Sequence, residues 1–286
     1  MENKKFLDAY ELIKLKLEKL EVNHVFNSIG SNIFIELGKD IEIESKNGRK
    51  SSRKEWSIWV SNASWKISKN EKYIVGSGDP RETIQLHIKE LLEKRFHSLK
   101  FKSRFLDAEF TFSGGYKLTT FFDRIAENQW TIFLPDQSDI GSDCTSYEAI
   151  KEVQAKAKHF SFIEDFKELD LLKEELYVGK ITYDKNDEPT FCFGNTISLN
   201  FQNCTWRLEK DQEYIVGYLD GDRAHFNTKI NKLIGKKLIQ ISIAPNLMEA
   251  RFEFEDLYVL KTFTCAHTVK QWRLTLNSTS LFQAVI

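Results

Sequence analysis

The sequence predicts an α+β protein: two tandem copies of a mainly antiparallel β-sheet domain, each with a leading helix and one central amphipathic helix. Three observations carry that expectation. The segment Asn62-Ala63-Ser64-Trp65-Lys66-Ile67, Tyr73-Ile74-Val75-Gly76, Asp79 recurs as Asn203-Cys204-Thr205-Trp206-Arg207-Leu208, Tyr214-Ile215-Val216-Gly217, Asp220 at identical spacing. After it, Ile84, Ile88, Leu91 and Leu92 match Phe226, Ile230, Leu233 and Ile234, which is the apolar stripe of a helix docked on a core. Runs of alternating large apolar and polar residues with short turns then read as a meander of antiparallel strands.

Each copy opens on a helical pattern. In the first, Phe6, Ala9, Tyr10, Ile13, Leu17 and Leu20 lie at helical spacing. In the second, Thr145-Ser146-Tyr147-Glu148 forms a capping-box signature, with helices expected to about residue 159 and over residues 164–175. Strands follow around residues 25–26 and 33–37, with counterparts near 177–183 and 190–193, where Asn186-Asp187 looks like a hairpin turn. Between its second and third strands the first copy carries extra residues, 40–54, including the basic run Lys46-Asn47-Gly48-Arg49-Lys50-Ser51-Ser52-Arg53-Lys54. A polar insertion of this kind lengthens a surface hairpin.

Next come strands at residues 56–60 and 65–67. Asp79 is placed to cap the central helix, Pro80 to start it and Glu82 to sit at its third position. The last four strands fall at residues 99–105, 109–112, 117–122 and 130–134, with Ser113-Gly114-Gly115 as a turn. Their partners are Ala250-Arg251-Phe252-Glu253-Phe254, then Tyr258, Leu260, Thr262 and Phe263, and finally Trp272-Arg273-Leu274-Thr275-Leu276. Domain boundaries are accordingly expected at residues 1–140 and 141–286.

Bulk properties limit function more than they specify it. The 286 residues carry a formal net charge of −1, so no global field draws the chain to nucleic acid or membrane. No apolar run approaches the length of a membrane span, and the first residues lack the apolar core of a secretory signal. Cys144, Cys192, Cys204 and Cys265 form no paired motif, which suits a reducing cytoplasm. The six histidines make no metal-binding pair, and neither a nucleophile elbow nor a phosphate loop is present. The expectation is therefore no catalytic, cofactor or metal residue.

Candidate binding residues are those the duplication does not explain. Trp65, Trp206, Trp130 and Trp272 occupy shared positions and read as core. Trp59 aligns with Asn200 and reads instead as a solvent or interface residue, a candidate partner contact. Arg49, Lys50, Arg53 and Lys54 in the basic run are the other candidates. For that run a solvated hairpin tip is favoured over a nucleic-acid contact, since Glu42, Glu44 and Glu55 flank it and no aromatics interleave.

The pattern Phe191-x-Phe193-Gly194-Asn195, Trp206-Arg207-Leu208, Val216-Gly217, Asp220, Leu233-Ile234-Gly235-Lys236, Phe252-x-Phe254 and Trp272 resembles small β-rich domains of uncharacterised bacterial proteins. These include immunity-type proteins found beside polymorphic toxins. The first copy departs from it with Glu93-Lys94 in place of Gly235-Lys236. The resemblance implies a non-enzymatic protein that binds another protein, a toxin or defence component. Nucleic-acid binding through residues 46–54 is the alternative, and a hydrolase or nuclease with Asp220, Asp222 or His225 in a non-linear site is the third.

Overall fold

A computed structural model describes residues 16–44, 47–48, 50–103, 107–123, 129–136, 138–142, 167–169, 175–184, 188–195, 197–201, 204–220, 223–244, 249–266, 272–276 and 279–283. The chain divides into two compact units, residues 1–122 with 126–163, and residues 123–125 with 164–286. Both are mainly antiparallel β-sheet with one α-helix among the described residues, an α+β architecture.

The first unit contains β1 (Val22–Asn27), β2 (Ile33–Glu44), β3 (Lys50–Val60), β4 (Ser64–Lys69), β5 (Lys72–Gly76), α1 (Arg81–His87), β6 (Phe96–Phe101), β7 (Ala108–Phe112), β8 (Tyr116–Phe121), β9 (Trp130–Phe133) and β10 (Asp139–Gly141). They form two five-stranded sheets, in the orders β1-β2-β3-β9-β10 and β5-β4-β8-β7-β6. Alternation along each strand sends one set of side chains inward. Trp56, Ile58, Trp65, Ile67, Phe110, Leu118, Trp130 and Ile132 from the two sheets therefore share one core. Ile84 of α1, with Ile88 and Leu91 of the 3-10 turn that continues it, closes that core.

The second unit contains β11 (Lys167–Leu169), β12 (Leu176–Tyr183), β13 (Pro189–Phe193), β14 (Ile197–Phe201), β15 (Thr205–Lys210), β16 (Glu213–Gly217), α2 (Arg223–Ile230), β17 (Lys237–Ile243), β18 (Ala250–Phe254), β19 (Tyr258–Phe263), β20 (Trp272–Leu276) and β21 (Thr279–Gln283). Its sheet runs β16-β15-β19-β18-β17-β12-β13-β14-β20-β21, with β11 beside β17. Read strand for strand, the path β16 to β17 has the order of β5 to β6, and β12 to β21 has that of β1 to β10. The seam differs only in extent. Tyr177 and Leu176 pair with Lys237 and Leu238 there, whereas the first unit makes one bridge, Glu21 to Arg95, flanked by Val22 N–H donating to Lys94 O at 2.9 Å.

Turns repeat as well as strands. Left-handed pairs Asn70-Glu71 and Asp211-Gln212 close the β4–β5 and β15–β16 hairpins. Ahead of β6, Glu93 holds φ +63°, and ahead of β17 Gly235 holds φ +83°. A side chain in this region costs about 1–2 kcal/mol, partly offset by the extra unfolded-state freedom of glycine. Glu93→Gly should therefore raise stability by about 0.5–1 kcal/mol in a denaturation curve. An unchanged or lowered midpoint would show that the exposed Glu93 side chain makes up for its backbone strain.

Several expectations need correction. Pro80 is the N-cap residue of α1 and Asp79 is not, because the Asp79 carboxylate turns back to accept from Gly76 N–H at 2.9 Å and from Tyr73 Oη at 2.6 Å. Asp220 accepts likewise from Gly217 N–H at 3.1 Å and Tyr214 Oη at 3.0 Å. Burial beside Asp220 pushes the Tyr214 phenol upward and keeps it a hydroxyl donor. Residues 167–169, expected within a helix, form β11 instead, paired with β17. The central helices are shorter than their apolar stripes, each passing into a 3-10 turn, and Ile234 beyond the second is 45% exposed. The strand expected at residues 99–105 begins earlier, at Phe96. Of the leading helix of the first copy, residues 1–15 lie outside the described residues and Leu17–Lys19 is one 3-10 turn. The capping-box helix and the Asn186-Asp187 turn also lie outside them.

Candidate functional site

The outward face of the sheet β1-β2-β3-β9 carries a row of rings that runs across the strands. Phe26 on β1 and Phe34 on β2 are directly paired, as are Phe34 and Trp59 on β3. Their ring centroids lie 5.0 and 5.5 Å apart with interplanar angles of 6° and 10°. Trp59 continues to Phe133 of β9 at 6.4 Å and 20°. At the other end, His24 meets Phe26 at 5.1 Å and its Nδ1 lies 2.9 Å from Glu36 Oε2. Phe26 is 36% exposed, and Phe34, Trp59 and Phe133 are half-buried.

The alternation of β3 explains the placement. Trp56, Ile58 and Val60 face the core, so Trp59 between them must face outward. Cross-strand neighbours on one face stand about 5 Å apart, close enough for aromatic rings to stack side by side. The ring faces are thereby spent on one another, and their edges are what solvent meets. The Trp59 Nε1 donor is buried and has no acceptor among the described residues.

The matching face of the second unit is polar. By strand register, Lys180, Thr182, Thr190, Asn200 and Thr275 hold the places of His24, Phe26, Phe34, Trp59 and Phe133. Thr190 Oγ1 donates to Asn200 Oδ1 at 2.9 Å, Asn200 Nδ2 to Ser198 Oγ at 3.1 Å, and Ser198 Oγ meets Thr275 Oγ1 at 2.6 Å. Beneath both faces the cores correspond, with Trp65 and Trp206, and Trp130 and Trp272, all at most 1% exposed. The sheet therefore needs its inward aromatics and tolerates either chemistry outside.

The basic residues are placed on the extended β2–β3 hairpin. Pairing continues past a bulge at Leu37/Asp40 to Glu44 opposite Lys50. Lys54 Nζ is 3.0 Å from Asp40 Oδ2. The Arg53 guanidinium donates to Leu134 O at 2.6 Å, next to Phe133, and so ties the hairpin stalk to the end of the aromatic row. Lys50 is exposed, and Arg49 lies outside the described residues. Ile41 and Ile43 sit opposite Arg53 and Ser51, so alternation carries apolar side chains from the row up the hairpin. The cations that sequence reasoning chose lie farther along the hairpin, and it missed the neighbours of Trp59 itself, Phe26, Phe34 and Phe133, because only register brings those rings together.

A separate cluster lies at the end of α1. His87 Nδ1 is 2.9 Å from Glu90 Oε1, Tyr116 Oη donates to Glu90 Oε2 at 2.9 Å, and Lys69 Nζ lies 4.8 Å from the Tyr116 ring centre. The His87 hydrogen bond first, and then that of Tyr116, holds the Glu90 carboxyl below its ordinary value against the opposing effect of burial. A lowered carboxyl stabilises the fold above its unfolded value, near 4.5, and that contribution is lost as pH falls through the lower folded value. Glu90→Gln should flatten the stability-versus-pH curve below about pH 4.5. An identical acid limb in both proteins would remove this role.

Among the described residues, no group of three or more His, Cys, Asp or Glu side chains is placed to hold a metal ion. No helix among them is long and apolar enough to cross a membrane. Asp222 and the His225 side chain lie outside the described residues, and the Asp220 carboxylate is engaged in its turn. Compared with family models, with curated proteins and with solved structures, the chain matches none.

Proposed function

We propose that the chain is a non-enzymatic protein-binding module, built by duplication of one β-rich unit, whose first unit docks a protein partner on its outward aromatic row. The observation that carries this reading is the exchange of the row, place for place, between stacked rings and a hydrogen-bonded polar chain. A feature that one unit lacks at no cost to its strand order is not what the fold requires. Outward-facing aromatics clustered in this way are the usual anchors of protein interfaces. The common strand order and the paired left-handed turns support duplication.

A bacterial immunity or defence-associated role in the cytoplasm, with a toxin as partner, fits the resemblance of the second half, since such a protein acts by occupying its target. Nucleic-acid binding is less favoured: base stacking needs free ring faces, and these rings cover one another. Affinity capture from the source cells, with the full chain and with Trp59→Asn as baits, tests the reading. A protein retained by the first and lost by the second supports it. Equal retention by both baits overturns it.

A further inference from the structure

We infer that the outward face of the second unit binds carboxylates, with Arg273 anchoring an acidic segment of another protein. This face belongs to the second unit and owes nothing to the aromatic row of the first. Trp272 and Leu274 lie in the core, as do Leu199 and Phe201, so Arg273 and Asn200 between them point outward. Register sets Thr182, Thr190, Asn200 and Arg273 in one row across β12, β13, β14 and β20. Lys180 begins the row below, followed by Cys192, Ser198 and Thr275. The uncharged members satisfy one another: Thr190 Oγ1 donates to Asn200 Oδ1 at 2.9 Å, and Asn200 Nδ2 to Ser198 Oγ at 3.1 Å. The cations have no such partners. Arg273 is half-buried, and its Nε is sealed from solvent with no acceptor among the described residues. Neither its guanidinium nor the Lys180 ammonium is hydrogen-bonded or ion-paired to a described residue. The first unit pairs its cation in the lower row, His24 with Glu36 at 2.9 Å. The second keeps a cation there, Lys180, and has Cys192 in place of the acid. Along β12 and β13 the next acids are Asp184 and Glu188, past both rows, where Asp184 Oδ1 accepts from Glu188 N–H at 3.0 Å.

Charge complementarity selects the occupant. A partly desolvated guanidinium without a counter-ion carries a cost that an anion removes. Its planar fork matches a carboxylate through two parallel N–H···O bonds. Asn200, directly opposite Arg273, uses one amide hydrogen on Ser198 and keeps its second for the same ligand. Lys180 stands three strands from Arg273, roughly 14 Å at about 4.8 Å per strand. An extended acidic segment of about five residues laid across the strands therefore meets a cation at each end. Nucleic acid suits the face less well. Two separated cations make no phosphate track, and neither row holds an aromatic ring on which a base could stack.

The test uses the full chain at low salt and three labelled probes: hexaglutamate, hexaglutamine and hexathymidylate. Fluorescence anisotropy should show hexaglutamate binding at least about tenfold more tightly than hexaglutamine, with a loss as salt rises. Arg273→Gln should weaken hexaglutamate about tenfold, and Arg273→Lys less, because it keeps the charge and loses the fork. Trp59→Asn should leave hexaglutamate binding unchanged. If circular dichroism shows Arg273→Gln unfolded, Lys180→Gln at its exposed position carries the test, with a loss of about threefold expected. Equal binding of hexaglutamate by the wild type and the folded variant overturns the inference, and so does the absence of binding. Tighter binding of hexathymidylate overturns it in favour of a phosphate ligand. None of these outcomes alters capture of a protein through Trp59, so the docking on the aromatic row stands or falls by its own test.

Discussion

Trp130→Ala should destabilise the first unit by about 3–5 kcal/mol, the cost of removing a large buried ring whose space the surroundings cannot refill. Trp130 is fully buried and packs against two rings of the other sheet, stacked on Phe101 at 5.8 Å and edge-on to Phe110 at 5.9 Å. Its counterpart Trp272 meets Phe252 edge-on at 5.3 Å. Trp130 therefore ties the sheet that carries the outer face to the sheet opposite, and Trp272 links β20 to β18 across the core of the second unit. Urea denaturation followed by circular dichroism measures the loss. A change below about 1 kcal/mol would show that the ring is not part of a close-packed core, and would remove the distinction between core and surface aromatics.

Trp59→Asn should behave in the opposite way, with a large loss of binding and a small loss of stability. The substitution installs the residue that the second unit carries at this place. Two stacks disappear, with Phe34 and Phe133, at about 0.5–1.5 kcal/mol each. The fold should therefore lose about 1–3 kcal/mol, less than for Trp130. Partner affinity should fall about 30-fold or more, the effect of removing a central aromatic anchor. Isothermal titration against the captured partner reads the second quantity, and denaturation reads the first. A variant that binds normally but unfolds easily would make Trp59 a structural residue, contrary to this account.

The architecture was legible where chemistry repeats at constant spacing. Trp65, Val75, Phe110 and Leu118 and their counterparts in the second half are buried as their periodicity requires. Alternation was equally informative at Trp59, which lies outside because Trp56 and Ile58 lie inside. The row itself was not legible. Phe26, Phe34 and Phe133 are far apart in sequence, and only the pairing of four strands places their rings in contact. Asp79 misled because a carboxylate before Pro80 is good helix-cap chemistry, yet the Tyr73 hydroxyl and the Gly76 amide compete for it and win. Residues 167–169 carry the polar-apolar mixture of a helix face, and pairing with β17 overrides that local preference.

The most direct test of the central claim is hydroxyl-radical footprinting of the full chain alone and with its captured partner. Modification of Phe26, Phe34, Trp59 and Phe133 should fall on complex formation, while Tyr177 and Tyr218 of the second unit, 44% and 41% exposed, should keep their rates. Protection of the second unit with the row unchanged would contradict the account.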